Sequence, residues 1–485
     1  MLSSKMSYAV RMPVLLKYLG LLAFMLALLT LAPLIASVLF QDYQITLRYL
    51  IVIAVLIIFW GLSRTIEEPR QIQQNEALTI VALAFIGSPL LMTFAFMGSG
   101  LSFSDALFEA VSAITTTGLS MTTDLANRPE TFLFARAWMQ WYGGLGIVVL
   151  SVAIMMGNQI VNRSLSEPLG GESLATTTRS HARRVLAIYG VMTVVGIMVV
   201  WMLSGNFLLA INHVLAAVST GGFSSFDMSL QSVDSWSIRF TIIGISLCGA
   251  LPLLLYAVIF SKNWRKGIQD TELLALVIAI FLITSLLFFS FYMRSGMDAQ
   301  EALGHAFFLG ISAQTTTGFS TLDLSTIDDS AKLGMIISML VGGSVGSTSG
   351  GIKLLRLVIL FRLIQVMLQR TTMPTHAVNE PRLGGKLLES SDIQRVLMLV
   401  LLFIGVIVVS WLFFLLYGYP PMDALFEVVS ATATVGLSSG ITSADMPEVL
   451  KLVLSLDMLF GRLEIIALLV VLYLPNWIGK RKELV

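Results

Sequence analysis

Four short segments of this 485-residue chain repeat one pattern of small and hydroxylated residues: SAITTTGLS at 112–120, AAVSTGGFS at 216–224, SAQTTTGFS at 312–320 and SATATVGLS at 430–438. Aligned on Gly118, Gly222, Gly318 and Gly436, they recur at intervals of 104, 96 and 118 residues, an internal repeat. Such turns offer main-chain carbonyls and threonine hydroxyls. Extended carbonyls from four strands can replace the hydration shell of a potassium ion, and glycine frees the backbone to aim a carbonyl inward. For one copy, a helix C-cap explains the glycine equally well. Four copies at comparable intervals favour a shared axis. The threonine hydroxyls either add ligands or cap the turn, and both roles stay open.

The elements that must position these turns are apolar. The chain is 56% hydrophobic and 12% charged, against roughly 25% charged in soluble domains, which excludes a soluble protein. Stretches able to span a bilayer as helices lie near 14–40, 45–62, 77–97, 132–157, 184–204, 236–261, 272–293, 333–369, 393–417 and 450–475. Their even number places both termini on one side. The first is read as a retained helix, since it runs past the length of a signal sequence and no convincing small-residue cleavage site follows it. With a cytoplasmic N-terminus, the segments on that side hold 22 of the 30 basic residues, which fixes the orientation.

Each glycine turn has one long apolar stretch before it and one after, with a shorter piece between that cannot span. The unit is helix, short helix, polar turn, helix, and the first two stretches form an added N-terminal hairpin. The short helices match as well: ALFEAVSA at 106–113 and ALFEVVSA at 424–431 are nearly identical. Nine residues before the glycine stand Glu109, His213, Leu309 and Glu427; thirteen before stand Asp105, Leu209, His305 and Asp423. Acids at the latter position complement the positive end of a helix dipole. His213 and His305 are read as substitutes for carboxylates rather than metal ligands. Polar backbone at membrane depth must be buried in protein or line a water-filled cavity. Four short helices aimed at one axis would each bring about half a negative charge to it, which favours a cation.

Two further features interrupt the apolar pattern. GGSVGSTSGGIK at 342–353 carries five glycines and four Ser/Thr residues inside a spanning stretch, so continuous helix is not expected there. It does not match the phosphate-binding pattern G-x-x-x-x-G-K-[ST]. Close helix packing and a flexible loop beneath the turns are the two readings. Arg462 lies within MLFGRLEIIALLV, where an arginine costs about 2.5–3.5 kcal/mol on insertion scales, so it must face a cavity or a partner. Asp457 and Glu464 are near in sequence, and an ion pair with either is the structural alternative to a barrier charge. Lys353 is either a second such charge or a cytoplasmic anchor. A net charge of +1 leaves no basic field for nucleic acid. One cysteine, Cys248, and four scattered histidines leave no disulfide framework or evident metal site. No nucleophile signature is present, so the chain is not read as an enzyme.

These residues resemble the single-chain potassium transporters of the Trk, Ktr and HKT superfamily, most closely the bacterial TrkH/TrkG type, over nearly the whole chain. The resemblance implies an all-α integral membrane fold with four helix–pore loop–helix units around one pore and an N-terminal two-helix hairpin. It divides the chain into 1–70 (hairpin), 71–175, 176–268, 269–385 and 386–485. Its selectivity filter would be Thr116, Thr117 and Gly118; Thr220, Gly221 and Gly222; Thr316, Thr317 and Gly318; and Thr434, Val435 and Gly436. Some plant relatives that prefer sodium carry serine at the first of these glycines, so Gly118 argues for potassium. Gly221 and Val435 depart from the second threonine, removing hydroxyls but no carbonyls. The gate would be the 342–353 loop (Gly342, Gly343, Gly346, Gly350, Gly351, Lys353) facing Arg462. Potassium is the expected ion, and no other cofactor is implied on this chain. The implied partners are lipid, a second copy in a homodimer, and a cytosolic TrkA-type ring that alone binds nucleotide. Arg163, Arg179, Arg183, Arg184, Lys262, Arg265 and Lys266 are candidate docking charges, or ordinary positive-inside residues. The implied location is the bacterial cytoplasmic (inner) membrane, with both termini cytoplasmic. A carrier coupling potassium to sodium or protons is the alternative; a non-conducting sensor or enzyme fits four matching turns poorly.

Overall fold

The computed structural model describes residues 9–67, 72–157, 174–259, 270–374, 380–383 and 386–478, and these are almost wholly helical. Helices α1 (Met12–Leu39) and α2 (Tyr43–Ser63) make a hairpin. The first unit follows as α3 (Gln74–Phe96), α4 (Phe103–Ile114) and α5 (Glu130–Gly157). The second comprises α6 (Leu174–Ser204), α7 (Phe207–Val218), α8 (Trp236–Ala250) and α9 (Leu253–Ile259). The third holds α10 (Thr271–Arg294), α11 (Ala299–Gln314), α12 (Asp329–Val341) and α13 (Leu354–Thr371). After a two-residue antiparallel ladder, β1 (Arg382–Leu383) with β2 (Lys386–Leu387), the fourth has α14 (Ser390–Leu416), α15 (Pro421–Thr432), α16 (Glu448–Arg462) and α17 (Ile466–Leu472).

Among the described residues six helices are long and apolar enough to cross a membrane: α1, α2, α3 with its 3-10 extension to Ser99, the Ala182–Ser204 part of α6, α10 and α14. This corrects the expectation of ten spanning stretches, of which only 333–369 was expected to be interrupted. The stretch at 132–157 lies in one helix, α5, but those at 236–261, 333–369 and 450–475 are each broken. The first breaks at Leu251–Pro252, because proline lacks an N–H and pushes the residue before it out of helical geometry. The second breaks over 342–353. The third breaks where Glu464 and Ile465 adopt φ of +51° and +63°. The breaks meet in space: Ser344 N–H donates to Ala250 O at 3.3 Å, and Leu253 N–H donates to Gly346 O at 3.2 Å. The first two breaks thus satisfy each other's backbone across the bundle, while the third closes on its own chain, with Ile465 N–H on Phe460 O at 2.8 Å.

The short helices α4, α7 and α15 have 12 residues each, about 18 Å at 1.5 Å per residue. That is roughly half of a 30 Å hydrocarbon core, so they end at mid-depth. Their starts, and that of the 16-residue α11, are set locally. Ser102 accepts from Asp105 N–H, Asn206 from Leu209 N–H and Asp298 from Gln300 N–H, while α15 opens on Pro421, whose missing donor costs nothing there. Long helices surround them with an apolar outer face; Phe281, Leu282, Phe289 and Met293 of α10 are exposed while the buried interior holds dozens of Ser, Thr and charged residues. That inversion of the soluble pattern is what hydrocarbon solvent requires.

Both ends of the described chain meet on one face. Arg11 Nε and Nη2 donate to Glu76 Oε1 and Oε2 at 2.8 and 2.9 Å, Val10 N–H reaches Asn476 O at 2.9 Å, and Asn476 bonds to Asn75 and Thr79. Glu76 is fully buried. Arg11→Met is therefore expected to strand a buried carboxylate and cost about 3–5 kcal/mol, read as a lower unfolding midpoint of the detergent-solubilised protein. An unchanged midpoint would mean the latch contributes nothing to stability.

Candidate functional site

The four turns follow the C-terminal ends of α4, α7, α11 and α15, and all four are built alike. In each, the N–H of the residue just before the turn glycine turns back on its helix: Thr117 N–H to Ser112 O (2.9 Å), Gly221 to Ala216 O (2.7 Å), Thr317 to Ser312 O (2.9 Å) and Val435 to Ser430 O (2.8 Å). Thr116, Thr220, Thr316 and Thr434 then adopt φ of +53°, +50°, +56° and +51°, and Gly118, Gly222, Gly318 and Gly436 adopt +92°, +73°, +88° and +94°. Positive φ at a β-branched residue is strained, at about 1–3 kcal/mol each. The same strain at four equivalent threonines marks one backbone path used four times.

The turns close on one another in a ring. A Cβ built on Gly118 would overlap the carbonyl oxygen of Gly221, one on Gly222 that of Thr317, one on Gly318 that of Val435, and one on Gly436 that of Thr117. Each glycine thus abuts the carbonyl of the next repeat, and the cycle returns to its start. The structure brings together all twelve turn residues singled out from sequence.

Hydroxyl roles separate by position. Thr117 Oγ1 bonds to Thr115 Oγ1 at 2.8 Å and Thr317 Oγ1 to Thr315 Oγ1 at 2.7 Å, so the second threonine is tied back to its helix end. Gly221 and Val435 at that position therefore remove a brace, not an axial oxygen. Gly221 also leaves room for a side chain: Gln140 of α5 occupies the space, donating to Gly221 O at 2.5 Å and accepting from Phe223 N–H at 3.2 Å. Among first threonines, Thr116 and Thr434 hydroxyls are buried without a hydrogen-bond partner. Thr316 Oγ1 accepts from Gly350 N–H at 2.6 Å, and Thr220 Oγ1 donates to Ser219 O at 2.8 Å.

Behind the ring, the residue nine before the glycine anchors the strand leaving the turn. Glu109 Oε1 accepts from Ser120 Oγ (2.5 Å), Met121 N–H (2.7 Å) and Thr122. Glu427 Oε1 accepts from Ser438 Oγ (2.6 Å) and Ser439 N–H (2.8 Å). His213 Nε2 meets Ser224 Oγ at 3.1 Å, the same contact made by an imidazole. The third repeat has Leu309 and uses His305 instead, whose Nδ1 meets Thr321 Oγ1 at 2.8 Å. Both histidines thus stand in for a carboxylate's anchoring role. Adjacent repeats are also latched: Lys332 pairs with Asp423 at 2.6 Å and Lys451 with Asp105 at 2.7 Å, while the Trp236 ring packs on His305.

The 342–353 segment is irregular yet mostly buried, packed against the helix ends that carry the ring. Gly342, Gly346 and Gly351 have positive φ. Gly342 O accepts from Gln314 Nε2 at 2.6 Å, Gly343 O from Leu354 N–H at 3.0 Å, and Gly351 N–H donates to Ala433 O at 3.1 Å. A Cβ on Gly350 would overlap Ala433 O and Thr434 Oγ1. Thr348 Oγ1 lies 3.2 Å from Val218 O. The segment therefore touches the second, third and fourth repeats at once. Arg462, 3% exposed, donates from Nη1 to Thr348 O at 2.8 Å and from Nη2 to Gly143 O at 3.5 Å. Neither predicted carboxylate pairs with it: Asp457 accepts from Ser410 Oγ, and Glu464 pairs with Arg356 at 2.6 Å. Lys353 is buried, not a surface anchor, and its Nζ donates to Ser349 O. Of the candidate docking charges, Arg183 and Arg184 are exposed; Arg163, Lys262, Arg265, Lys266 and the Arg179 side chain lie outside the described residues.

Several site residues were not singled out from sequence. Gly143, Gly249 and Gly461 lie where a Cβ would overlap Ile114 O, Val218 O and Thr432 O, the last carbonyls of three short helices. Their spacing of 25–27 residues past the turn glycine is the signal that could have found them. Gln140 and Arg136 carry no repeat signature, and only packing identifies them.

A family model described as TrkH, cation transport protein, matches residues 42–476. The Trk system potassium uptake protein TrkH of Halomonas elongata is 30% identical over 95% of this chain and 98% of its own. The protein of the same name from Escherichia coli K12 is 29% identical over 94% and 97%. The crystal structure of the potassium transporter TrkH from Vibrio parahaemolyticus superposes with a TM-score of 0.86 at 26% identity, covering 97% of this chain and all of that one. The ring of four turns, the broken helices beneath it and these matches along the whole chain agree: it belongs to the TrkH family of cation transport proteins.

Proposed function

We propose that this chain carries potassium into the cell across the bacterial cytoplasmic membrane, through a filter formed by the carbonyls of Thr116–Gly118, Thr220–Gly222, Thr316–Gly318 and Thr434–Gly436. The closed ring of turns is the observation that carries this reading, joined by the names of the relatives. Four short helices point C-terminal ends toward it, and the unpartnered Thr116 and Thr434 hydroxyls add free oxygens. Potassium dehydrates against such a ring at modest cost, which suits channel-like flux.

The 342–353 loop is the gate. It lies across the path beneath the ring, joined to three repeats, and Arg462 holds it shut through Thr348 O while presenting a cation to any arriving ion. A cytosolic nucleotide-binding ring of the TrkA type controls it, and the chain works as a homodimer with both termini cytoplasmic. The basic bias of the terminal side supports that orientation.

The test is potassium and sodium flux into liposomes holding the purified chain at set voltages. Potassium flux that follows voltage and exceeds sodium flux is expected. Flux that requires an opposing sodium or proton gradient would replace the channel by a coupled carrier.

A further inference from the structure

The position nine residues before each turn glycine is structurally equivalent in the four repeats but electrically unequal. Glu109 is fully buried and faces a fully buried arginine, with Arg136 Nη1 3.2 Å from Oε2. Arg136 also donates to Ser224 O at 3.0 Å and lies over the Phe132 and Phe223 rings. His213 takes the second position and Leu309 the third. Glu427 takes the fourth, equally buried, and among the described residues no basic side chain lies within ion-pairing distance of it. Its partners are one N–H and three hydroxyls: Ser439 N–H, Ser438 Oγ and Ser439 Oγ on Oε1, and Thr442 Oγ1 on Oε2 at 2.7 Å. Burial opposes a charge there, while the hydrogen bonds favour it.

Resting on the reading of the turns as a potassium filter, we propose that Glu427 determines how tightly the filter holds its ion. It supplies, from behind the fourth repeat, the one negative charge at this level that no basic side chain cancels. Glu109 cannot do the same, because Arg136 neutralises it. The ion is therefore attracted toward the Thr434–Gly436 turn more than toward the other three, a polarity that pseudo-symmetry of the backbone alone would not produce.

The experiment measures initial potassium flux against potassium concentration in proteoliposomes. Glu427→Gln keeps the shape and most acceptor capacity and removes the charge; the half-saturating concentration is expected to rise about tenfold, the scale of one unit charge about 12 Å away at an effective dielectric near 20, with the maximal rate retained. Glu427→Asp should restore most of the affinity. Thr442→Lys, at a half-buried position touching Oε2, adds a counter-charge without altering Glu427 and should weaken affinity similarly, which keeps the test decisive if the glutamine variant fails to fold. Unchanged half-saturation in folded variants, or a fall in maximal rate alone, would reduce Glu427 to a structural anchor. Unchanged potassium-over-sodium selectivity in a folded Gly318→Ser variant would instead overturn the filter reading itself.

Discussion

Gly318→Ser is expected to reduce potassium flux by about two orders of magnitude and to erase its preference over sodium. The reason is geometric. Gly318 sits at φ +88° with Val435 O where its Cβ would be, so serine must either move that carbonyl or twist its own turn. A left-handed L-residue costs about 1–2 kcal/mol. Displacing one carbonyl from an ion loses an interaction comparable to a charged hydrogen bond, about 1.5–3 kcal/mol, and the two together approach 100-fold at 1.4 kcal/mol per decade. The same substitution at Gly118, Gly222 or Gly436 should act alike, because each abuts its neighbour in the same cycle. The measurement is ion flux into liposomes with the variant shown to be monodisperse. Wild-type selectivity in a folded Gly318→Ser protein would remove the ring from the ion path.

The second large effect is at Arg462. Arg462→Gln should raise potassium leak through the isolated chain about tenfold or more, with no activating partner present. Two contributions point the same way. A unit positive charge beside a narrow path repels a potassium ion by a few kcal/mol at an effective dielectric near 20, and the bond from Nη1 to Thr348 O at 2.8 Å holds the loop in place. Arg462→Lys keeps the charge but not the forked donor, so its leak should fall between wild type and glutamine. Equal leak in lysine and glutamine variants would assign the barrier to the hydrogen bond rather than the charge. Unchanged leak in both would place the gate elsewhere.

How much of this was legible in advance differs by element. The four turns were readable because a repeat of T-x-G at intervals of about 100 residues is a sequence property, and membrane insertion is set by local hydrophobicity. The breaks in the sixth and tenth stretches were not. Pro252 is a single residue in an apolar run, and Glu464–Ile465 carries no glycine to announce positive φ. The first is held by the 342–353 segment, which satisfies the freed backbone, and the second closes on its own chain through Ile465 N–H to Phe460 O; sequence patterns record neither arrangement. Arg462 was recognisable as misplaced in hydrocarbon, but its partner was not: carboxylates nearby in sequence lost to a carbonyl 114 residues away.

The sequence by itself determined that this is a helical membrane protein with four copies of one turn, since length, hydropathy and repetition act locally along the chain. Only the tertiary structure decided that each turn glycine faces the next repeat's carbonyl, that the glycine-rich segment lies across three of the four helix ends, and that Glu109 meets Arg136 while Glu427 meets no basic side chain among the described residues. Those are contacts between residues far apart in the chain, chosen by packing and by the need to pair buried polar groups, and neither force leaves a pattern in any one segment.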